Sequence, residues 1–123
     1  MNAREIGKNL VSLCREGKNL DCINTYYAKD VESVEAAAPP GGERIAKGID
    51  AVRGKNQWWM ENHEVHSAEV TGPYPHGDES FGVRFNYDIT QKATGKRMQM
   101  DELGIFHVKG GKIVREEFFY DMG

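Results

Sequence analysis

The chain has 123 residues, with sixteen Lys and Arg against nineteen Asp and Glu and a net charge of −3. That length fits one domain of ordinary size spanning residues 1–123, and 39% hydrophobic residues supply a packed core. The basic excess or basic stripe of a nucleic-acid binder is missing. Apolar runs stop at three residues, where a membrane span needs about 20. The leading MNAREIGKNL has no apolar signal-peptide core, and no lipidation box closes the chain. The expectation is a soluble, cytoplasmic domain that binds neither nucleic acid nor membrane.

Ile6, Leu10, Leu13 and Cys14 share one helical face, and Gly17 stands where that helix should end. Leu20, Ile23 and Tyr27 repeat the spacing, which predicts a second short helix to about Asp30. Cys14 and Cys22, the only cysteines, read as buried small hydrophobes, since their spacing fits no usual zinc site. Val31 to Ala36 reads as a first strand, and Pro39 to Gly42 breaks the chain. A third helix follows from Gly48 to near His63, with Ile49, Val52 and Trp59 on one face. The second half is strand and turn. Val65 to Val70 is one strand and Pro73 to Asp78 a loop. Phe81, Val83, Phe85, Tyr87 and Ile89 then alternate strictly with Gly82, Arg84, Asn86, Asp88 and Thr90. Ala93 to Lys96 turns the chain, Met98 to Val108 returns it, and Lys109 to Lys112 makes a hairpin into Ile113 to Tyr120. The order α-α-β-α-β-β-β-β is an α+β arrangement, helices first and a strongly curved, mostly antiparallel sheet after. Helices laid across one face of such a sheet enclose a conical pocket of the kind ligands occupy.

Within that order, several segments carry a family resemblance over essentially the whole chain. The helix pair, Tyr27-Ala28-Lys29-Asp30-Val31, the Gly48-led helix, Trp58-Trp59, Met100-Asp101-Glu102-Leu103-Gly104 and Gly111-Lys112-Ile113-Val114 before Phe118-Phe119-Tyr120 resemble the SnoaL-like polyketide cyclase group. That group belongs to the cone-shaped superfamily of ketosteroid isomerase and nuclear transport factor two. The closest likeness is to a subfamily without an assigned reaction. The resemblance implies the fold more firmly than the function, because this superfold hosts isomerases, cyclases, dehydratases, hydrolases and binding modules.

Glu35 is the first catalytic candidate, since an ungapped count places it where ketosteroid isomerase carries its catalytic aspartate. A carboxylate at the mouth of an apolar cone suits a proton-shuttling base, a tuning for which that isomerase is itself the standard worked case. The plain reading is an exposed strand-end glutamate paired with a lysine. Glu102 is the second candidate and shares a strand face with Met98, Met100 and Phe106. A three-residue hairpin loop sets it opposite Phe118, with Met100 opposite Tyr120 and Gly104 opposite Glu116. A two-residue loop instead turns Asp101 inward, because one step of register flips every side chain. Glu116, Phe118 and Tyr120 share one face of the last strand, unless Glu116 pairs with Arg84 or Arg115 outside. Counting back from Gly17 puts Leu10 where the isomerase has its oxyanion tyrosine, and Leu103 or Gly104 where it has its second donor. Steroid isomerisation by that route is not expected.

His66 is an auxiliary acid–base candidate, while His63 at a helix end has a structural reason in the dipole. No metal motif is present. Tyr27, Trp59, Phe85, Met100, Glu116, Phe118 and Tyr120 are expected to line the pocket. Together these residues describe a binder of a small hydrophobic, cyclic organic ligand. If catalytic, it would perform isomerisation, cyclisation or dehydration without cofactor or metal. The alternatives are a non-catalytic ligand-binding module and a dimerisation domain with a filled core. Leu103 and Ile105, on the face away from the pocket, imply a homodimer, because an apolar sheet face needs cover.

Overall fold

The computed structural model describes residues 1–39 and 41–121. Three helices, α1 (Ala3–Arg15), α2 (Asn19–Tyr26) and α3 (Ile49–Asn62), lie against one six-stranded sheet. Its strands are β1 (Tyr27–Val34), β2 (Ile45–Lys47), β3 (His63–His76), β4 (Ser80–Gln91), β5 (Arg97–Lys109) and β6 (Lys112–Phe119). The spatial order is β2-β1-β6-β5-β4-β3. Only β1 and β6 run parallel. This is the expected α+β cone, with the sheet left open at both edges.

The start of α1 is fixed by a capping box, in which Glu5 N–H donates to Asn2 Oδ1 at 2.9 Å and Asn2 N–H donates to Glu5 Oε1 at 3.4 Å. Its end is fixed by Gly17 at φ +73°, where Lys18 N–H reaches Leu13 O at 2.8 Å and Gly17 N–H reaches Cys14 O at 3.1 Å. That pair of bonds is the Schellman pattern, and it needs a left-handed residue that glycine supplies without strain. Ile6, Leu10, Val11 and Cys14 then bury against the inner face of the sheet. Phe81, Val83, Phe85, Tyr87 and Ile89 form that face on β4, as their alternation predicts.

Three features differ from the sequence reading. The second helix ends at Tyr26 rather than near Asp30, because Tyr27 already pairs with Ile113 in the sheet and buries its ring. The short strand β2 was not expected; its three residues carry little pattern, and pairing with Glu32, Ser33 and Val34 is what defines it. Pro73 to His76 belongs to β3 instead of a loop. A strand at the sheet edge tolerates prolines, whose missing N–H would break a central ladder, and the register shifts between Thr71 and Tyr74 to admit them.

The last hairpin resolves differently from either simple alternative. Lys109 pairs with Lys112 across a two-residue Gly110-Gly111 turn, but a bulge between His107 and Val108 shifts the register once more. Phe106 therefore faces Glu116, and Gly104 faces Phe118. The turn alone would turn Asp101 inward. The bulge restores the parity, so Glu102 stays on the inner side while Asp101 is exposed outside.

Candidate functional site

The inner mouth of the cone is built where β1, β5 and β6 come together beneath α3. Val31 and Ser33 alternate inward on β1, and Glu35 follows one residue past its end. Glu116 and Phe118 project inward from β6, Met100 and Glu102 from β5. Lys55 and Trp59 descend from α3, three and seven residues after the buried Val52.

Three carboxyls meet there in three different settings. Glu116 is buried at 3% exposure. Tyr27 Oη donates to its Oε1, and Ser33 Oγ donates to its Oε2 at 2.6 Å. Burial pushes its pKa up, against the opposing pull of Lys55 and the two hydroxyl donors. Glu35 sits nearer the mouth: Lys55 Nζ lies 2.8 Å from its Oε1, and Tyr120 Oη donates to its Oε2 at 2.9 Å. Glu102 is mostly buried and accepts no hydrogen bond from the described residues. Burial first, and then the nearby Glu35 and Glu116 charges, raise it to about 7, with Lys55 pulling the other way.

Lys55 joins the first two. Its Nζ donates to Ser33 Oγ, pairs with Glu35 and lies 5.5 Å from the Phe118 ring centroid. An unbroken chain thus runs Tyr120–Glu35–Lys55–Ser33–Glu116–Tyr27. Burial and the neighbouring Glu116 carry the Tyr27 hydroxyl well above the usual phenol range, and burial with Glu35 carries Tyr120 up to about 12.

An aromatic wall surrounds the chain. Phe118 meets Phe85 and Phe106 edge to face, at centroid distances of 6.3 and 6.1 Å. Trp59 stacks on His63 at 4.6 Å and tilts against Tyr87 at 5.7 Å. Gly104 makes this wall possible, because a Cβ there would lie 2.9 Å from Phe106 Cε2 and 3.1 Å from Phe85 Cε2.

Of the residues singled out in the sequence, Glu35, Glu102, Glu116, Tyr27, Trp59, Phe85, Met100, Phe118 and Tyr120 all lie on this inner side. His66 does not. It occupies the bulge between Val65 and Ser67 on β3, is exposed beside Asp88, and shares a 2.7 Å hydrogen bond with Thr90 Oγ1. The bulge breaks the alternation that placed it with Ala68 and Val70. Glu116 does not pair with Arg84 or Arg115; Arg115 instead holds Glu32 and Glu117 on the outer face. Lys55, Ser33 and Tyr87 were not foreseen, although Lys55 falls on the Val52–Trp59 stripe and Tyr87 on the clearest alternation in the chain.

A surface concavity of about 840 Å³ lies elsewhere. Lys29, Lys47, Arg53 and Lys112 line it beside the N-terminus of α3. It contains none of the three inner carboxyls. Among the described residues no group of three or more His, Cys, Asp or Glu could hold a metal ion, and no helix is long and apolar enough to cross a membrane.

Comparison with known proteins places this geometry in a family setting. The SnoaL-like domain family matches residues 1–120. A crystal structure from Mesorhizobium loti, described as a SnoaL-like polyketide cyclase and also as a carbohydrate phosphatase, is 45% identical, with a TM-score of 0.90 over 98% of this chain and 100% of that one. An NTF2-like protein from Burkholderia thailandensis shares the fold at 19% identity and TM-score 0.80, covering 98% of this chain and 92% of its own. So does a Catenulispora acidiphila protein with a ketosteroid isomerase-like fold in complex with trimethylamine, at 18% identity and TM-score 0.71, covering 96% and 86%. No curated protein matches the sequence.

Proposed function

The chain belongs to the SnoaL-like domain family, and from that premise we propose that it binds a small, hydrophobic, cyclic ligand and performs acid–base chemistry alpha to a carbonyl, as an isomerase, cyclase or dehydratase. One observation carries this reading: of three neighbouring carboxyls, two have both oxygens engaged by the protein, and the third, Glu102, accepts no hydrogen bond from the described residues and is pushed up by burial to about 7. A general acid works best with a pKa near the working pH. Glu102 is therefore the proton donor and Glu35 the base.

In the step this supports, Glu35 takes a proton from the carbon alpha to the ligand carbonyl. The C–H electron pair becomes a C=C bond, the carbonyl π pair takes the Glu102 proton, and an enol results. A carboxylate has about four acceptor positions, so Glu35 keeps room for the proton while holding Lys55 and Tyr120. Return of a proton from Glu35 to a different carbon completes an isomerisation; departure of a β-hydroxyl as water, taking the proton from Glu35 while the enol proton returns to Glu102, completes a dehydration. Trp59, Phe85, Met100 and Phe118 hold the ring and exclude water.

A second reading, ligand capture without turnover, is supported by the absence of the isomerase-type oxyanion donors. Leu10 is a core residue at 1% exposure, and Gly104 offers no side chain. Losing one such donor costs about 10²–10³ in rate. Glu35→Gln separates the two readings in a screen of cyclic ketones and enol lactones. Acid–base catalysis predicts that turnover falls by at least about 10²-fold while ligand affinity holds. A wild-type protein that binds these ligands and turns none over establishes capture.

The outer sheet face carries Leu103 and Phe119, 41% and 53% exposed and opposite each other across β5 and β6, with Ile105 two residues along β5. We take this apolar strip as a homodimer surface of a cytoplasmic protein. Light scattering that returns a monomer at micromolar concentration overturns it.

A further inference from the structure

Lys55 comes from α3, whereas the carboxyls it serves come from β1, β5 and β6. An ammonium has three donors and no lone pair. Here one reaches Ser33 Oγ and one Glu35 Oε1, and the cation faces the Phe118 ring. Ser33 has a single hydroxyl proton. Because its oxygen accepts from Lys55, that proton is directed onto Glu116 Oε2. The direction of every bond from Glu35 to Glu116 therefore follows from one side chain. A lysine bound to a lone surface carboxylate would impose nothing of this kind.

We propose that Lys55 is the positioning residue of the site: it fixes the Glu35 carboxylate at the mouth, orients Ser33 onto the buried Glu116, and so leaves Glu102 as the carboxyl of the three with no hydrogen bond from the described residues. The catalytic consequence rests on the acid–base reading above, but the arrangement itself does not. The charged and titratable groups that act on Glu102 are Glu35 after β1, Glu116 on β6, Tyr87 on β4, Tyr120 after β6 and Lys55 on α3. Lys55 is the only cation in that group. Without it, two negative charges face Glu102 uncompensated, and Ser33 is free to turn away from Glu116.

Carbon-detected NMR titration of the glutamate carboxyls in the free protein tests this, in wild type, Lys55→Met and Lys55→Arg. Loss of a cation at this range should raise the Glu102 midpoint by roughly one pH unit, and Lys55→Arg should return it most of the way. A role confined to packing would lower the melting temperature and leave the midpoints in place. A folded Lys55→Met variant with wild-type midpoints overturns the proposal. If Lys55→Met does not fold, Ser33→Ala cuts the same chain one bond later. Glu116 should then titrate higher, and an unmoved Glu116 overturns the proposal instead. The titration needs no turnover, so an inactive protein would sink the acid–base reading and leave this test standing.

Discussion

The two faces of the sheet carry the same kind of side chain and treat it in opposite ways. On the outer face Arg84 grips Asp101 with bonds of 2.9 and 3.0 Å, and Arg97 grips Asp88 with 3.0 and 2.8 Å. Arg115 reaches Glu117 at 3.0 Å. These hydrogen-bonded guanidinium partners hold all three acids below their ordinary range. On the inner face Glu102 and Glu116 are shifted upward, because burial outweighs one shared lysine and two hydroxyls. An arginine fork neutralises a carboxylate in open water and leaves it with no proton to give. A dry wall with one cation for three carboxyls leaves a proton within reach at neutral pH.

Removing the deepest inner acid is the strongest way to break this contrast. Glu116→Ala leaves the hydroxyls of Tyr27 and Ser33 without their acceptor inside the core. Stranded buried polar groups cost about 1–3 kcal/mol each, so urea unfolding should show a loss of about 3 kcal/mol. Glu116→Gln keeps an acceptor for one hydroxyl and should lose less. A Glu116→Ala variant as stable as wild type would mean that the hydroxyls find water, and that this face is wetter than its geometry indicates.

The next effect depends on pH. Folded Glu102 holds its proton up to about 7, above the ordinary 4.5, so between those values the folded state binds the extra proton. Stability therefore falls as pH rises through that window, and the full cost is present above pH 7. Glu102→Gln should match wild type near pH 4 and exceed it at pH 8 by on the order of 2 kcal/mol, discounted for partial exposure. Glu116 contributes with the same sign but is present in both proteins, so the difference between their stability curves isolates Glu102. The same variant should lose turnover, as expected where activity is held at the expense of stability. Parallel curves for the two proteins would remove Glu102 as the acid.

How far these acids were legible in the sequence follows from the range of the interactions that place them. The strict alternation from Phe81 to Ile89 needs only neighbouring residues, and it placed Phe85 correctly. The side of the sheet to which Glu102 points depends on a bulge between His107 and Val108. That bulge exists only in the pairing of two strands, and the Gly110-Gly111 turn taken alone argues for Asp101. His66 failed for the same reason, one bulge away on β3. Lys55 sits on the inward stripe of α3, yet a lysine at such a position usually passes its stem along the apolar surface and ends in water. What separates the two cases is Ser33 and Glu35, which lie twenty or more residues earlier and meet Lys55 only after the strand has paired.

The smallest expected effect tests the outer half of the comparison. Asp101 is exposed and doubly bonded to Arg84. Ion pairs in open solvent gain little, because water screens the charges and two long side chains lose freedom to hold one geometry. Asp101→Asn should therefore leave the melting temperature unchanged at neutral pH, in low and in high salt alike, and should leave ligand affinity and turnover untouched. Asp101 is also the acid that a bulge-free hairpin would turn into the cone. A loss of binding or turnover in this variant would mean that the bulge relaxes in solution and that Asp101, not Glu102, faces the ligand. Unchanged behaviour, set beside the pH-dependent gain of Glu102→Gln, would show that two adjacent acids on one strand differ in function because they point to different sides of it.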